Sequence, residues 1–217
     1  MAVESLQSEQ IRMTYIVDRL KMEYPDSKCS LNYKSPFQLL VATILSAQCT
    51  DKRVNQVTKG LFEKYPDPPG FINLSLEEIE REIYSTGFYK NKAKSIKGMA
   101  AAVVNEYGGI LPQTLNEMVE FPGVGRKTAN VVLGNINGIP SIVVDTHVTR
   151  ITNLLKFVNT KNAVKIEKNL EKITKKEDWT LFAHLLIDHG RAVCIANRPQ
   201  CYNCVIAEFC PSAKGVN

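Results

Sequence analysis

The chain of 217 residues is 44% hydrophobic, enough for one large or two small domains with real cores, which excludes a disordered polypeptide. Lys and Arg number 27 against 22 Asp and Glu, so the net charge is +5 and the pI is near 8.8, a balance that fits a polyanionic partner without requiring one. The opening Met1-Ala2-Val3-Glu4-Ser5-Leu6 has neither a basic n-region nor an apolar h-region, and no apolar run approaches the roughly eighteen residues of a membrane span, so a cytoplasmic protein without a targeting signal is expected.

Local signals are almost all helical. Ser8 is the expected cap of a first helix whose apolar residues Ile11, Tyr15, Ile16 and Leu20 recur at helical spacing before Pro25. Ser35 as N-cap and Pro36 at the first helical position open a core helix with the stripe Phe37, Leu40, Val41, Ile44 and Leu45. Polarity returns at Ser46-Ala47-Gln48-Cys49-Thr50-Asp51. There Thr50 is placed to cap a third helix with Val54, Val57, Leu61 and Phe62 inward, while a glutamine such as Gln48 ordinarily hydrates helix-end carbonyls.

Tyr65-Pro66-Asp67-Pro68-Pro69-Gly70 reads as a surface turn, and Ser75-Leu76-Glu77-Glu78 as a capping box. After the loop Thr86-Gly87-Phe88-Tyr89, a long helix is marked by Ala93, Ile96, Ala100, Val103, Val104 and Tyr107 and closed by Gly108-Gly109. Lys90, Lys92, Lys94 and Lys97 crowd its start, where the helix dipole disfavours cations. With Phe88 just ahead of them, two readings stand: an aromatic wedge beside phosphate-holding lysines, or a buried loop anchor on a solvated helix.

Thr114-Leu115-Asn116-Glu117 is another capping box, and Phe121-Pro122-Gly123-Val124-Gly125-Arg126-Lys127-Thr128-Ala129 follows it. Two glycines one residue apart allow positive φ and close approach of a ligand, and a helix begins directly after them. Its first amides lack intrahelical partners and carry the positive end of the dipole, so the segment is a helix-hairpin-helix able to seat a DNA phosphate. Lys127 stands in the first turn beside Arg126, where a second cation is electrostatically disfavoured; that placement, aided by desolvation, favours the neutral amine a nucleophile needs. The bland alternative is an αα-corner with one more solvated lysine.

Asn137-Gly138-Ile139-Pro140 breaks the chain, and the buried run Ile142-Val143-Val144 leads to Asp145, an N-cap for a helix with Val148, Ile151, Leu154 and Leu155. A capping carboxylate is rigid, which suits a catalytic group as well. His147 reads as a structural neighbour and His184 and His189 as helix-face residues, and further helices lie around Ile166, Leu170 and Ile173 and from Asp178 to Gly190. Cys194, Cys201, Cys204 and Cys210 follow the spacing C-x6-C-x2-C-x5-C; so close together they argue for a metal centre, and cysteine chemistry permits zinc or an iron-sulfur cluster. Cys29 and Cys49 read as ordinary buried thiols.

The run Phe121 to Leu133, the segment Val144-Asp145-Thr146-His147, the stretch Leu45-Ser46-Ala47-Gln48-Cys49-Thr50-Asp51 and the cysteine spacing resemble the endonuclease III family of DNA glycosylases, over nearly the whole chain. The resemblance implies that Lys127 attacks the sugar with help from Asp145, and that Gln48 enters the gap left by an extruded base. Phe88 takes the place of an intercalating residue usually described as leucine. It implies further that the four cysteines hold a [4Fe-4S] cluster of structural role; the hairpin residues Gly123, Val124, Gly125, Arg126 and Thr128 are read as holding DNA, and Arg191 and Arg198 as placed to meet DNA phosphates from the cysteine loop.

The implied fold is all-α with two domains, a helical barrel carrying the helix-hairpin-helix over residues 29–139 and an iron-sulfur cluster domain of residues 1–28 with 140–217, the substrate lying in the cleft between them. The implied activity is removal of damaged pyrimidines from double-stranded DNA with cutting 3′ to the abasic site, by a monomer at the nucleoid. Competing readings are a mismatch-specific glycosylase of the same superfamily, which usually lacks this lysine, and a non-catalytic DNA-binding or redox-sensing protein.

Overall fold

The structure is a computed structural model that describes residues 4–136 and 138–215. Among these residues the chain forms α-helices and short 3-10 turns, with no strand: α1 (Leu6–Glu23), α2 (Pro36–Ser46), α3 (Asp51–Lys64), α4 (Pro68–Asn73), α5 (Leu76–Ile83), α6 (Tyr89–Tyr107), α7 (Leu115–Met118), α8 (Arg126–Ile136), α9 (Thr146–Leu154), α10 (Ala163–Ile173) and α11 (Trp179–Ala192). The chain divides into two compact units, Ser30–Ile139 and Met1–Cys29 with Pro140–Asn217. No helix of the described residues is long and apolar enough to cross a membrane.

In the unit Ser30–Ile139, α2 is the buried axis. Ser35 caps it by accepting from Gln38 N, Pro36 supplies a first-turn residue that needs no amide partner, and Leu39, Leu40, Val41, Ala42 and Leu45 are fully buried. α3, α6 and α8 pack around it, and α4 and α5 lie on α6. Thr50 and Ser75 cap α3 and α5 as their sequences predict, the latter in a complete capping box with Glu78. Val54, Thr58 and Leu61 form the buried face of α3, with Val57 and Phe62 only part-buried.

Two local expectations change. The segment read as a surface turn at 65–70 contains the start of α4. Asp67 caps it through Gly70 N, Pro68 and Pro69 occupy its first turn where prolines cost no hydrogen bond, and Phe71 is driven into the core edge-on to Phe37 and Tyr65. The Thr114–Glu117 box is a variant: Glu117 N donates to Thr114 Oγ1, but the Glu117 carboxylate takes the threonine hydroxyl rather than the cap amide, and α7 runs for a single turn.

In the other unit α1 begins one turn before the expected cap. Ser5, not Ser8, is the N-cap, accepting from Ser8 N at 3.2 Å, and Glu4 just ahead of it pairs with Arg12 at 2.7 Å. Arg12 also donates to Leu155 O and Phe209 O and lies 4.0 Å over the Phe157 ring, fastening α1 to the segments after α9 and near the C-terminus. α1 packs on α10 and α11, and α11 on α9. Buried Ile16, Leu20, Ile166, Leu170, Phe182, Leu185 and Leu186 form this core.

Candidate active site

The hairpin alternates between anchors and offered groups. Phe121 and Val124 are buried, Phe121 edge-on to Tyr107 at 5.4 Å, and Val124 N closes the turn on Phe121 O at 3.0 Å. Pro122, Gly123, Gly125, Arg126 and Lys127 are exposed, Thr128 part-buried. The side chain of Val124 is therefore a core anchor, and only its backbone can reach a phosphate. Of the two glycines only Gly123 has a left-handed backbone, φ 76, and a Cβ on it would collide with Ser95 of α6. Gly125 has open space where its Cβ would be, and its carbonyl receives Ala129 N at 3.0 Å, the first bond of α8. Lys127 is the second residue of α8 and exposed, so this chain's own packing does not desolvate its amine.

Gln48 and Phe88 share a backbone feature. Gln48, in the turn after α2, has φ 53, and Phe88, at the N-cap of α6, has φ 49. Left-handed conformation is uncommon for any side chain other than glycine and marked for a bulky one, so both turns are imposed by their surroundings. Gln48 is exposed and Phe88 is 63% exposed, which removes the reading of Phe88 as a buried loop anchor. Tyr84, itself exposed, stands 4.8 Å from the Tyr89 ring beside it.

The lysine cluster after Phe88 divides by burial. Lys90 and Lys94 are exposed, whereas Lys92 is buried with its ammonium on Leu45 O and Thr86 O, and Lys97 donates to Leu74 O. Four charges read as a solvated, phosphate-holding group are thus two available cations and two fasteners, because a lysine stem can run along apolar surface and carry its head to a carbonyl.

Asp145 caps α9 with Oδ1 accepting from Val148 N at 2.8 Å. α9 is itself tightly held: a Cβ on Gly190 of α11 would strike the His147 ring, and Arg150 donates to Cys194 O at 2.6 Å and Gly190 O at 3.3 Å. The carboxylate therefore starts a helix clamped to α11 and to the first cysteine. Burial holds His147 and His184 below the usual imidazole range, with Asp145 opposing the shift in both.

Cys194, Cys201, Cys204 and Cys210 line one cavity of about 240 Å³ with Ile151 and His189. Burial pushes three of the thiols up, Cys204 to about 11, while the Ile206 amide favours the thiolate of Cys204 and the Ser212 and Ala213 amides that of Cys210. Among the described residues no three His, Cys, Asp or Glu side chains converge closely enough to hold a single metal ion. Four soft donors around a shared space, with amide hydrogens aimed at sulfur, fit the needs of a polynuclear cluster, whose irons each take one thiolate. His189, read as a helix-face residue, is buried at this wall, its ring 3.1 Å from Tyr24 Oη and 3.4 Å from Cys204 Sγ. Arg198 is exposed in the cysteine loop, and Arg191 is exposed in the last turn of α11 rather than in that loop. Cys29 and Cys49 are part-buried rather than fully buried.

Residues 41–176 match the family described as HhH-GPD superfamily base excision DNA repair protein. The chain belongs to this superfamily. Within it, the chain is similar to the endonuclease III of Synechocystis, 47% identical over 98% of this chain and 97% of that protein. Its structure is similar to endonuclease III in a non-covalent DNA complex and in a trapped covalent DNA intermediate, each with TM-score 0.89, 44% identity and 98% coverage of both chains.

Of the residues singled out in the sequence, the structure brings the hairpin residues together on one turn, gathers the four cysteines around one cavity, and puts Gln48 and Phe88 on two exposed turns of the same unit. Lys127 lies in the unit Ser30–Ile139 and Asp145 in the other. Sequence reasoning missed Ser95 and Arg150 and misread Lys92 as a surface cation. A serine on a helix gives no sign of what packs on it, whereas a lysine within a run of lysines hides its burial.

Proposed function

We propose that this protein is a base-excision DNA glycosylase with abasic-site lyase activity, acting as a monomer on double-stranded DNA that carries damaged pyrimidines or abasic sites. The observation that carries the reading is the exposed amine of Lys127 on the first turn of α8, directly after the open backbone at Gly125. A phosphate seated at the N-terminal turn of that helix, at the positive end of its dipole, fixes the DNA backbone beside the amine. Closure of DNA over the exposed amine supplies the desolvation that the protein alone does not.

A lesion with weakened stacking lowers the energy needed for extrusion, and Gln48 and Phe88 fill the space it leaves. Lys127 Nζ attacks the sugar C1′, the C1′–N bond breaks, and the base departs with a proton. Asp145, held by its cap bond, stabilises the cationic sugar as it forms and assists proton transfer. The sugar ring then opens as the C1′–O4′ bond breaks and O4′ takes up a proton, leaving a C1′=N Schiff base that acidifies C2′; loss of that proton breaks the C3′–O bond, cutting the strand 3′ to the abasic site, and water then frees the lysine.

Cys194, Cys201, Cys204 and Cys210 would hold a [4Fe-4S] cluster, which when bound cross-links the loop after α11. Arg198 and Arg191 add phosphate contacts near it, as Gly123, Gly125, Arg126 and Thr128 do at the hairpin. In this reading residues 29–139 are the lesion-reading helical domain and residues 1–28 with 140–217 the cluster domain, working in the cytoplasm at the nucleoid. The test is product analysis on a duplex bearing one thymine glycol: free base and a 3′-unsaturated aldehyde end from wild type, and neither from Lys127→Ala with DNA binding retained. Equal cutting by the variant overturns the assignment.

A further inference from the structure

We infer that Lys92 is a positioning residue that locks the Gln48 turn and the Phe88 turn into one body, so that the two side chains enter the DNA stack together. The inference rests on the glycosylase reading above and concerns how this chain drives base extrusion.

Lys92 is only 5% exposed, and its ammonium donates to two main-chain carbonyls, Leu45 O at 2.8 Å and Thr86 O at 2.8 Å. Its own amide donates to Phe88 O at 3.1 Å. One residue therefore holds the chain on both sides of Phe88 and, 47 positions away in sequence, the last turn of α2. Leu45 belongs to the helix end whose carbonyls lack i+4 partners and carry the negative end of the dipole, where a cation is favoured.

The positions of the bonded carbonyls matter. Gln48 stands three residues after Leu45 with φ 53, and Phe88 two residues after Thr86 with φ 49, with Gly87 between at φ 70. Left-handed backbone at a glutamine and a phenylalanine persists only where the surroundings over-determine it. The ammonium pins the chain three residues ahead of Gln48 and two ahead of Phe88, and so fixes the direction in which each exposed side chain leaves the surface.

Burial pulls the lysine below its ordinary range, so this charge is kept at some expense in a place where an apolar side chain would be easier to bury. Lys90 and Lys94, two residues either way, stay at the surface. A lysine that only supported the fold could be replaced by methionine with loss of stability alone. A lysine that couples two probing turns loses extrusion.

The test uses single-turnover excision of thymine glycol from duplex DNA with 2-aminopurine opposite the lesion, and the same lesion in an unpaired bubble. Wild type, Lys92→Met, Gln48→Ala, Phe88→Ala and the pairs of K92M with each are compared. K92M is expected to slow duplex excision by about tenfold or more and to suppress the fluorescence rise of the estranged base. The defect should shrink on the bubble, where extrusion is already made, and K92M should add little to Q48A or F88A, because coupled groups are non-additive. Should K92M fail to fold, Lys92→Gln, which keeps part of the donor capacity, is expected to show the same pattern at smaller amplitude. Wild-type rates in the variant, or equal slowing on duplex and bubble with full multiplication of effects, overturn the inference. Wild-type protein that leaves both substrates intact would instead contradict the glycosylase reading.

Discussion

Gly123 lies so close to α6 that a Cβ on it would stand 2.5 Å from the Ser95 Cβ and 2.6 Å from its Oγ. The hairpin is seated there by contact as well as by turn geometry, since a Cβ on Gly98, one turn further on, would stand 3.1 Å from Pro122 Cγ. Gly123→Ala must therefore move the hairpin and also carry a side chain at φ 76, worth about 1–2 kcal/mol on its own. Denaturant unfolding should show a larger loss, and Ser95→Gly in the same chain should recover the steric part only. Weakened DNA binding should accompany the single change; an alanine variant as stable and as tightly binding as wild type would show that the contact does not fix the hairpin.

Asp145 has a cap role and a proposed chemical role, and two substitutions separate them. Asparagine caps a helix about as well as aspartate, so Asp145→Asn should stay within about 0.5 kcal/mol of wild-type stability, while Asp145→Ala should lose about 1 kcal/mol. Both should slow base release by about a hundredfold or more, because neither carries the carboxylate. Wild-type activity in the asparagine variant would reduce Asp145 to its cap.

The cysteine cavity makes a prediction about metal content. Purified protein should be brown and contain iron and acid-labile sulfide, and Cys204→Ala should lose the colour and lower the melting temperature. Colourless protein holding zinc at those cysteines would overturn the cluster.

Acid should weaken the unit that contains the histidines. Burial holds His184 below the ordinary imidazole range, with the Asp188 and Asp145 carboxylates opposing the shift, and His147 is lowered likewise by burial. The unfolded chain, with a histidine pKa of about 6.5, then binds more protons as pH falls. The stabilising contribution is complete above that value and is lost as pH drops through the lower folded values. Denaturation midpoints measured from pH 7.5 downward should fall below about pH 6.5, and His184→Gln should flatten the slope; an unchanged slope would assign the effect to other groups.

Much of the helical layout was legible because it depends on local chemistry: Ser35 with Pro36, Thr50, and Ser75 with Glu78 all act on backbone groups within a few positions. What was not legible depends on distant neighbours. Asp67 with Pro68 and Pro69 has the composition of a turn, and only the core that receives Phe71 makes it a helix. Gly125 has a backbone that need not be glycine for its φ, so its open surface rather than its torsion is the feature of interest. Lys92 carried a charge that read as surface, and nothing in the residues near it shows the carbonyls of Leu45 and Thr86 at its tip.

The central claim is that Lys127 forms a covalent Schiff base with the sugar. Borohydride trapping on duplexes carrying one thymine glycol or one abasic site tests it directly. The account predicts a protein–DNA adduct on both substrates from wild type and none from Lys127→Ala. No adduct on either substrate from wild-type protein that binds both duplexes tightly would contradict it.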